Sequence, residues 1–110
     1  MKKLIAAAAA AAIAAGAFAV PSFSASTTKR VSIKDNVFAP TSVTIRKGQK
    51  IKWTWKGHAP HNVTATKGPV KFHSTTKTSG TFTKKFTKKG KYTILCTIHA
   101  PGMKMVVRVK

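Results

Sequence analysis

The 110-residue chain contains one acidic side chain, Asp35, one cysteine, Cys96, and one tyrosine, Tyr92. A single carboxylate excludes reactions that need two of them, glycoside hydrolysis among them. It also excludes a carboxylate-rich Ca²⁺ or Mg²⁺ site. One cysteine excludes an internal disulfide. In an exported chain, where thiols usually pair, a lone cysteine requires a partner chain, a reactive role or a metal. Helical patterning is also missing: beyond the N-terminal segment, no stretch sustains apolar residues at i, i+3, i+4 and i+7. No long apolar run follows that segment either, so the rest of the chain is expected to be soluble.

The N-terminal segment itself has a clear pattern. Met1-Lys2-Lys3 is followed by an Ala-rich apolar run from Leu4 to Val20, then by small residues spaced for cleavage at Ala17-Phe18-Ala19 or Ser22-Phe23-Ser24. This is the layout of a secretory signal peptide, assigned to residues 1–25. Its removal leaves one domain, residues 26–110, destined for the periplasm or the extracellular space. Loss of Lys2 and Lys3 lowers the formal charge from +20 to about +18 on about 85 residues.

The remainder reads as strands and turns. Val31 and Ile33 alternate with polar residues, as do Val43 and Ile45, and Ile51, Trp53 and Trp55. Val63 lies in a short extended run, with Val70 and Phe72 following. Phe82 and Phe86 lead to Tyr92, Ile94, Cys96 and Ile98, and Met105, Val107 and Val109 close the chain. Period-two alternation rich in Val, Ile, Thr and aromatics marks strands with one buried face. Pro40, Gly48, Gly57, Gly68-Pro69, Gly80 and Gly90 supply the breaks. Seven or eight short strands at this spacing imply an all-β sandwich or small barrel. A domain of this size buries only about 60–65% of its unfolded surface, and a bound metal would staple it.

Two stretches carry metal-ligand chemistry. Pro60-His61-Asn62-Val63 lies mid-chain, and Cys96-Thr97-Ile98-His99-Ala100-Pro101-Gly102-Met103 lies near the end. Cys96 and His99, two residues apart at a turn, can face one centre, and Met103 can return to it beyond Pro101-Gly102. With His61 from another strand, the set is two imidazoles, a thiolate and a thioether, the donors of a blue-copper site. Soft sulfur suits Cu(I) and imidazole accommodates Cu(II). Structural zinc favours closed sets of four Cys/His ligands over one thiolate with a methionine, so it is the weaker metal reading. Alone, Cys96 would read as a small buried hydrophobe. Met105 is a second possible thioether, although its spacing from Val107 and Val109 fits an inward strand position. His58 is expected to face solvent and His73 lies in a polar stretch, so neither is assigned to metal. Trp53 and Trp55 share one strand face, as core residues do.

These motifs resemble the cupredoxins, in particular the plastocyanin- and amicyanin-like small blue copper proteins. Val37-Phe38-Ala39-Pro40 with Val43-Thr44-Ile45 and Gly48 is similar to the family's opening strands. Ile51-Lys52-Trp53-Thr54-Trp55 resembles the strand before the first ligand loop, and Pro60-His61-Asn62-Val63 resembles that loop. Gly80-Thr81-Phe82, Phe86, Gly90-Lys91-Tyr92 and Cys96-Thr97-Ile98-His99 resemble the last ligand-bearing hairpin. The resemblance implies a Greek-key β-sandwich and one type 1 copper ion held by His61, Cys96, His99 and Met103. It further implies single-electron transfer between Cu(I) and Cu(II), with His99 as the electron route, and a carrier instead of an enzyme. Asn62 is expected to tie the two ligand loops together beside Cys96. Two departures stand out: three residues separate His99 from Met103, as in azurin, and Met105 occupies a position where many relatives carry glycine.

Lysines run from Lys29 to Lys110, densest at Lys84-Lys85 and Lys88-Lys89-Gly90-Lys91. Such charge steers a protein toward anionic partners. The expected partner is a redox protein with an acidic docking surface, and weak binding to anionic envelope polymers is a further expectation. Basic residues without a nucleic-acid fold motif or interleaved exposed aromatics argue against specific nucleic-acid binding. The protein is expected to be a monomer. Two other readings use the same residues: a copper carrier or buffer, and a cationic polyanion-binding module with a structural metal.

Overall fold

The computed structural model describes residues 27–110; the assigned signal peptide, residues 1–25, lies outside them. The described residues form eight strands and no helix: β1 (Thr28–Lys34), β2 (Val37–Ala39), β3 (Ser42–Ile45), β4 (Lys50–Trp55), β5 (Thr64–Lys67), β6 (Thr81–Lys85), β7 (Gly90–Leu95) and β8 (Lys104–Val109). They pack as two four-stranded sheets, ordered β2-β1-β4-β6 and β3-β8-β7-β5. This is the expected Greek-key β-sandwich.

Alternation decides which face of each strand is inward. Ile51, Trp53 and Trp55 of β4 are buried while Lys50 is exposed; in β8, Met105, Val107 and Val109 are buried and Lys104 and Arg108 exposed. A one-residue slip would turn each apolar set to water, so burial pins the register. β1 pairs in parallel with β4, and β3 in parallel with β8. Parallel neighbours need a long crossover, and the β1-to-β4 connection provides it by passing through β2 and then β3 in the other sheet.

Trp53 is the centre of the core. It is fully buried, its ring lies 5.8–6.4 Å from those of Phe72, Phe82 and Phe86, and Phe86 meets Tyr92 edge-on at 5.0 Å. Its indole N–H donates across the sandwich to Met105 Sδ at 3.3 Å, joining β4 to β8.

Two details differ from the sequence reading. The alternation that includes Ile98 stops at Cys96: β7 ends at Leu95, and Ile98, on the following turn, is 49% exposed. Val70 and Phe72 belong to no strand. That segment touches β5 through a single bridge, Thr64 with His73, while Val70 and Phe72 lean on the core. Both apolar patterns mark contact with the core or the surface without any ladder of backbone pairs behind them.

Replacing Trp53 by Ala removes the largest fully buried side chain and is expected to cost about 3–5 kcal/mol. Urea unfolding of the metal-free protein should show a sharply lowered midpoint.

Candidate metal centre

Strand register assembles the site. Thr64, at the start of β5, pairs with Leu95 at the end of β7, and Leu95 pairs with Lys104 at the start of β8. The residues just beyond this row, His61 to Val63, Cys96 and Met103, therefore share one end of the sandwich. Cys96 N–H donates to Met103 C=O at 3.1 Å, His99 N–H to Cys96 C=O at 3.2 Å, and Met103 N–H to His99 C=O at 3.3 Å. These bonds fold residues 96–103 into a compact loop.

His61, Cys96 and His99 bring their donor atoms within 4.8 Å of one another, and no other His/Cys/Asp/Glu group among the described residues does so. The sulfur lies 3.9 Å from His61 Nδ1 and 3.5 Å from His99 Nδ1. A nitrogen about 2.0–2.1 Å and a sulfur about 2.3 Å from one ion at a roughly tetrahedral angle lie about 3.5–3.6 Å apart, so the spacing suits a shared metal. His61 and Cys96 are fully buried and Met103 nearly so, while His99 is half-buried. His58 and His73 are exposed and stand outside the cluster. Met105 is also outside it, since its sulfur accepts the Trp53 N–H in the core.

Side-chain hydrogen bonds hold the two loops together. Asn62 Oδ1 accepts from Thr97 N–H at 3.1 Å, next to Cys96, and Asn62 Nδ2 donates to the hydroxyls of Thr97 (2.9 Å) and Thr76 (3.1 Å). This is the tie expected of Asn62. His61 is fixed from behind: its N–H donates to Lys77 C=O, and its own carbonyl accepts from Lys77 N–H and from the Trp55 indole at 3.1 Å. Trp55, which the sequence marks as a core residue, also positions the ligand loop.

The chain's sole acid lies against this site, a role the sequence reading did not give it. Asp35 Oδ1 is 3.1 Å from His61 Nε2 and accepts from the N–H groups of His58 and Ala59, each at 2.9 Å. The Ala59 N–H and then the His61 imidazole hold its carboxyl below the ordinary value of 3.8. Gly57 makes room for it, because a Cβ at that position would overlap the carboxylate.

A family model described as copper binding proteins, plastocyanin/azurin family, matches residues 25–110. The chain belongs to this family. Among solved structures, the cupredoxin pseudoazurin from Methylobacterium extorquens AM1 is similar at 26% identity, over 76% of this chain and 75% of that one, with a TM-score of 0.67. A reduced Cu(I) form of an amicyanin variant shares the fold at 23% identity, over 76% and 82% of the two chains, TM-score 0.67. The copper-containing nitrite reductase from Thermus scotoductus SA-01 shares it at 23% identity, TM-score 0.66; 76% of this chain aligns, but it spans only 22% of the reductase. The buried thiolate donor and the two converging imidazoles of this cupredoxin fit one type 1 copper ion.

Asn62→Ala removes the part-buried hydrogen bonds that tie the first ligand loop to Thr97 and Thr76. It is expected to destabilise the metal-free cupredoxin by about 1–3 kcal/mol, read from thermal or urea unfolding.

Proposed function

We propose that this cupredoxin is an exported carrier of single electrons whose copper is held by His61, Cys96 and His99, with Met103 as the axial donor. The observation that carries the reading is the buried Cys96 sulfur facing Nδ1 of both imidazoles at 3.5 and 3.9 Å. Bound copper supplies a Cu(II)/Cu(I) couple, and the protein supplies everything that tunes it. The donors sit on short connections anchored by strands and cross-loop hydrogen bonds, so one geometry serves both oxidation states with little movement. Burial keeps the Cys96 thiolate from bulk oxidants.

His99 is the electron route in this reading. It is half-buried on a turn, Thr97 to Gly102, that carries no Lys, Arg, Asp or Glu, and Ile98, Ala100 and Pro101 around it are exposed. Such a neutral apolar rim lets a partner approach closely in an otherwise cationic surface. The charge of the chain favours a redox partner with an acidic docking surface, and weak contact with anionic envelope polymers follows from the same charge. A cavity of about 280 Å³ lies at the opposite end, lined by Lys29, Arg46, Gln49 and Lys110 among others. It is remote from the donors; reading the protein as a carrier instead of an enzyme rests on its family. Export to the periplasm or beyond rests on the leader pattern of residues 1–25.

Adding Cu(II) to the purified metal-free protein is expected to produce an intense blue thiolate-to-copper band, abolished in Cys96→Ser. Absence of that band in the natural sequence would remove the electron-carrier reading. Reversible voltammetry of the loaded protein supports a carrier, whereas rapid surrender of copper to a chelator supports a buffer.

The charge yields a kinetic prediction of its own. Electron exchange should be faster with an anionic than with a cationic metal complex of matched potential. The difference should shrink as salt rises from about 0.01 M to about 1 M, where the screening length falls from about 30 to about 3 Å. Equal rates at low salt would contradict steering by charge.

A further inference from the structure

We propose that Asp35 is a positioning residue for the copper ligand His61: its carboxylate holds the proton on Nε2, leaves Nδ1 bare for metal, and biases the site toward the oxidised ion. The proposal rests on the copper reading above.

The His61 ring is fully buried, so each nitrogen needs a partner from the protein or the metal. Nδ1 faces Cys96 Sγ and Nε2 faces Asp35 Oδ1. An ionised carboxylate only accepts hydrogen bonds, so Nε2 must donate; a neutral imidazole then has its lone pair on Nδ1. The tautomer required for metal binding is thus set before any metal arrives.

The carboxylate is itself held in place. His58 N–H donates to both oxygens, at 2.9 and 3.1 Å, and Ala59 N–H donates to Oδ1 at 2.9 Å. The main chain of residues 56 and 57 is bonded to Ile33 C=O, at the end of the strand that precedes Asp35. The loop that ends in His61 therefore lines one side of the carboxylate, whose other side stays open to solvent at 42% exposure. The missing side chain of Gly57 provides the space. Three residues that would otherwise read as linker, Gly57, His58 and Ala59, build the support for one ligand.

Charge gives the contact its second consequence. A thiolate with Cu(II) carries one net positive charge and with Cu(I) none. Every other charged side chain in this protein is cationic, so the surrounding field disfavours the oxidised form. Asp35 supplies the only opposing side-chain charge, in contact with a proposed ligand. Partners of this kind are typically worth about 10–100-fold in metal affinity.

The test compares the full chain with Asp35→Asn and Gly57→Ala, the second keeping all ligands and the carboxylate but displacing it from its cradle. Competition with chelators for Cu(II) and Cu(I) is expected to show Cu(II) weakened about 10–100-fold in both variants and Cu(I) weakened less. Each tenfold difference between the two raises the one-electron potential by about 59 mV. Nitrogen-15 NMR of the metal-free natural protein should show His61 as the single tautomer protonated at Nε2, with that preference lost in Asp35→Asn. A blue site whose affinity ratio and potential are unchanged in both variants, or a His61 protonated at Nδ1, overturns the proposal. Should Asp35→Asn fail to fold, Gly57→Ala and the tautomer of the natural protein decide it. If no blue site forms at all, the copper reading fails, while the tautomer measurement still reports on Asp35.

Discussion

The row formed by Thr64, Leu95 and Lys104 is the constraint on which the rest depends. Three strand ends are aligned there by backbone pairing, and each continues directly into a loop carrying a sulfur or an imidazole. Asn62 then bonds one loop to the other through Thr97. The framework is complete in protein atoms: backbone partners, an indole N–H and an amide side chain fix the positions of His61 and Cys96. The site is a product of sheet geometry, and the sheet geometry is a product of burying Trp53, Tyr92 and the branched aliphatics between two faces.

Much of this was legible in the sequence because it is local. Alternation in Ile51-Lys52-Trp53-Thr54-Trp55 and in Met105 to Val109 gives strands and their inward faces directly, and Cys96 to Met103 lies in one short stretch. His61 was reached through its motif, since nothing local links it to Cys96, 35 residues away. Asp35 was out of reach for a physical reason. Its contact with His61 depends on β1 lying parallel to β4 with Ile33 beside Trp55, and no pattern in either strand declares that neighbour. Its being the only acid in the chain was the available signal, and composition alone turned that signal into an exclusion. Ile98 misled in the opposite way, because an apolar residue in phase with a strand can equally be the exposed tip of a turn.

The charge distribution has a structural cost. Lys50 stands directly opposite Lys85, and Arg30 beside Lys52, on the outer face of one sheet. Like charges placed this way destabilise the pairing, and the chain's one acid, Asp35, is engaged with His61 instead. The turn around His99 is free of this crowding, so the molecule combines a long-range cationic field with a neutral contact point. In the proposed electron transfer, the field would govern the encounter and the turn would govern how close the two redox centres come.

Met103 and Met105 are two residues apart, yet one ends beside Cys96 through a backbone bond and the other has its sulfur under the Trp53 indole. Nothing in the two side chains distinguishes them; the alignment of β8 against β7 does. Sliding that strand by two positions would preserve every inward and outward face, yet it would carry Met105 to the place Met103 holds and push Met103 out of it. Which of two chemically identical side chains reaches the loop end is therefore written in the stagger of a hairpin.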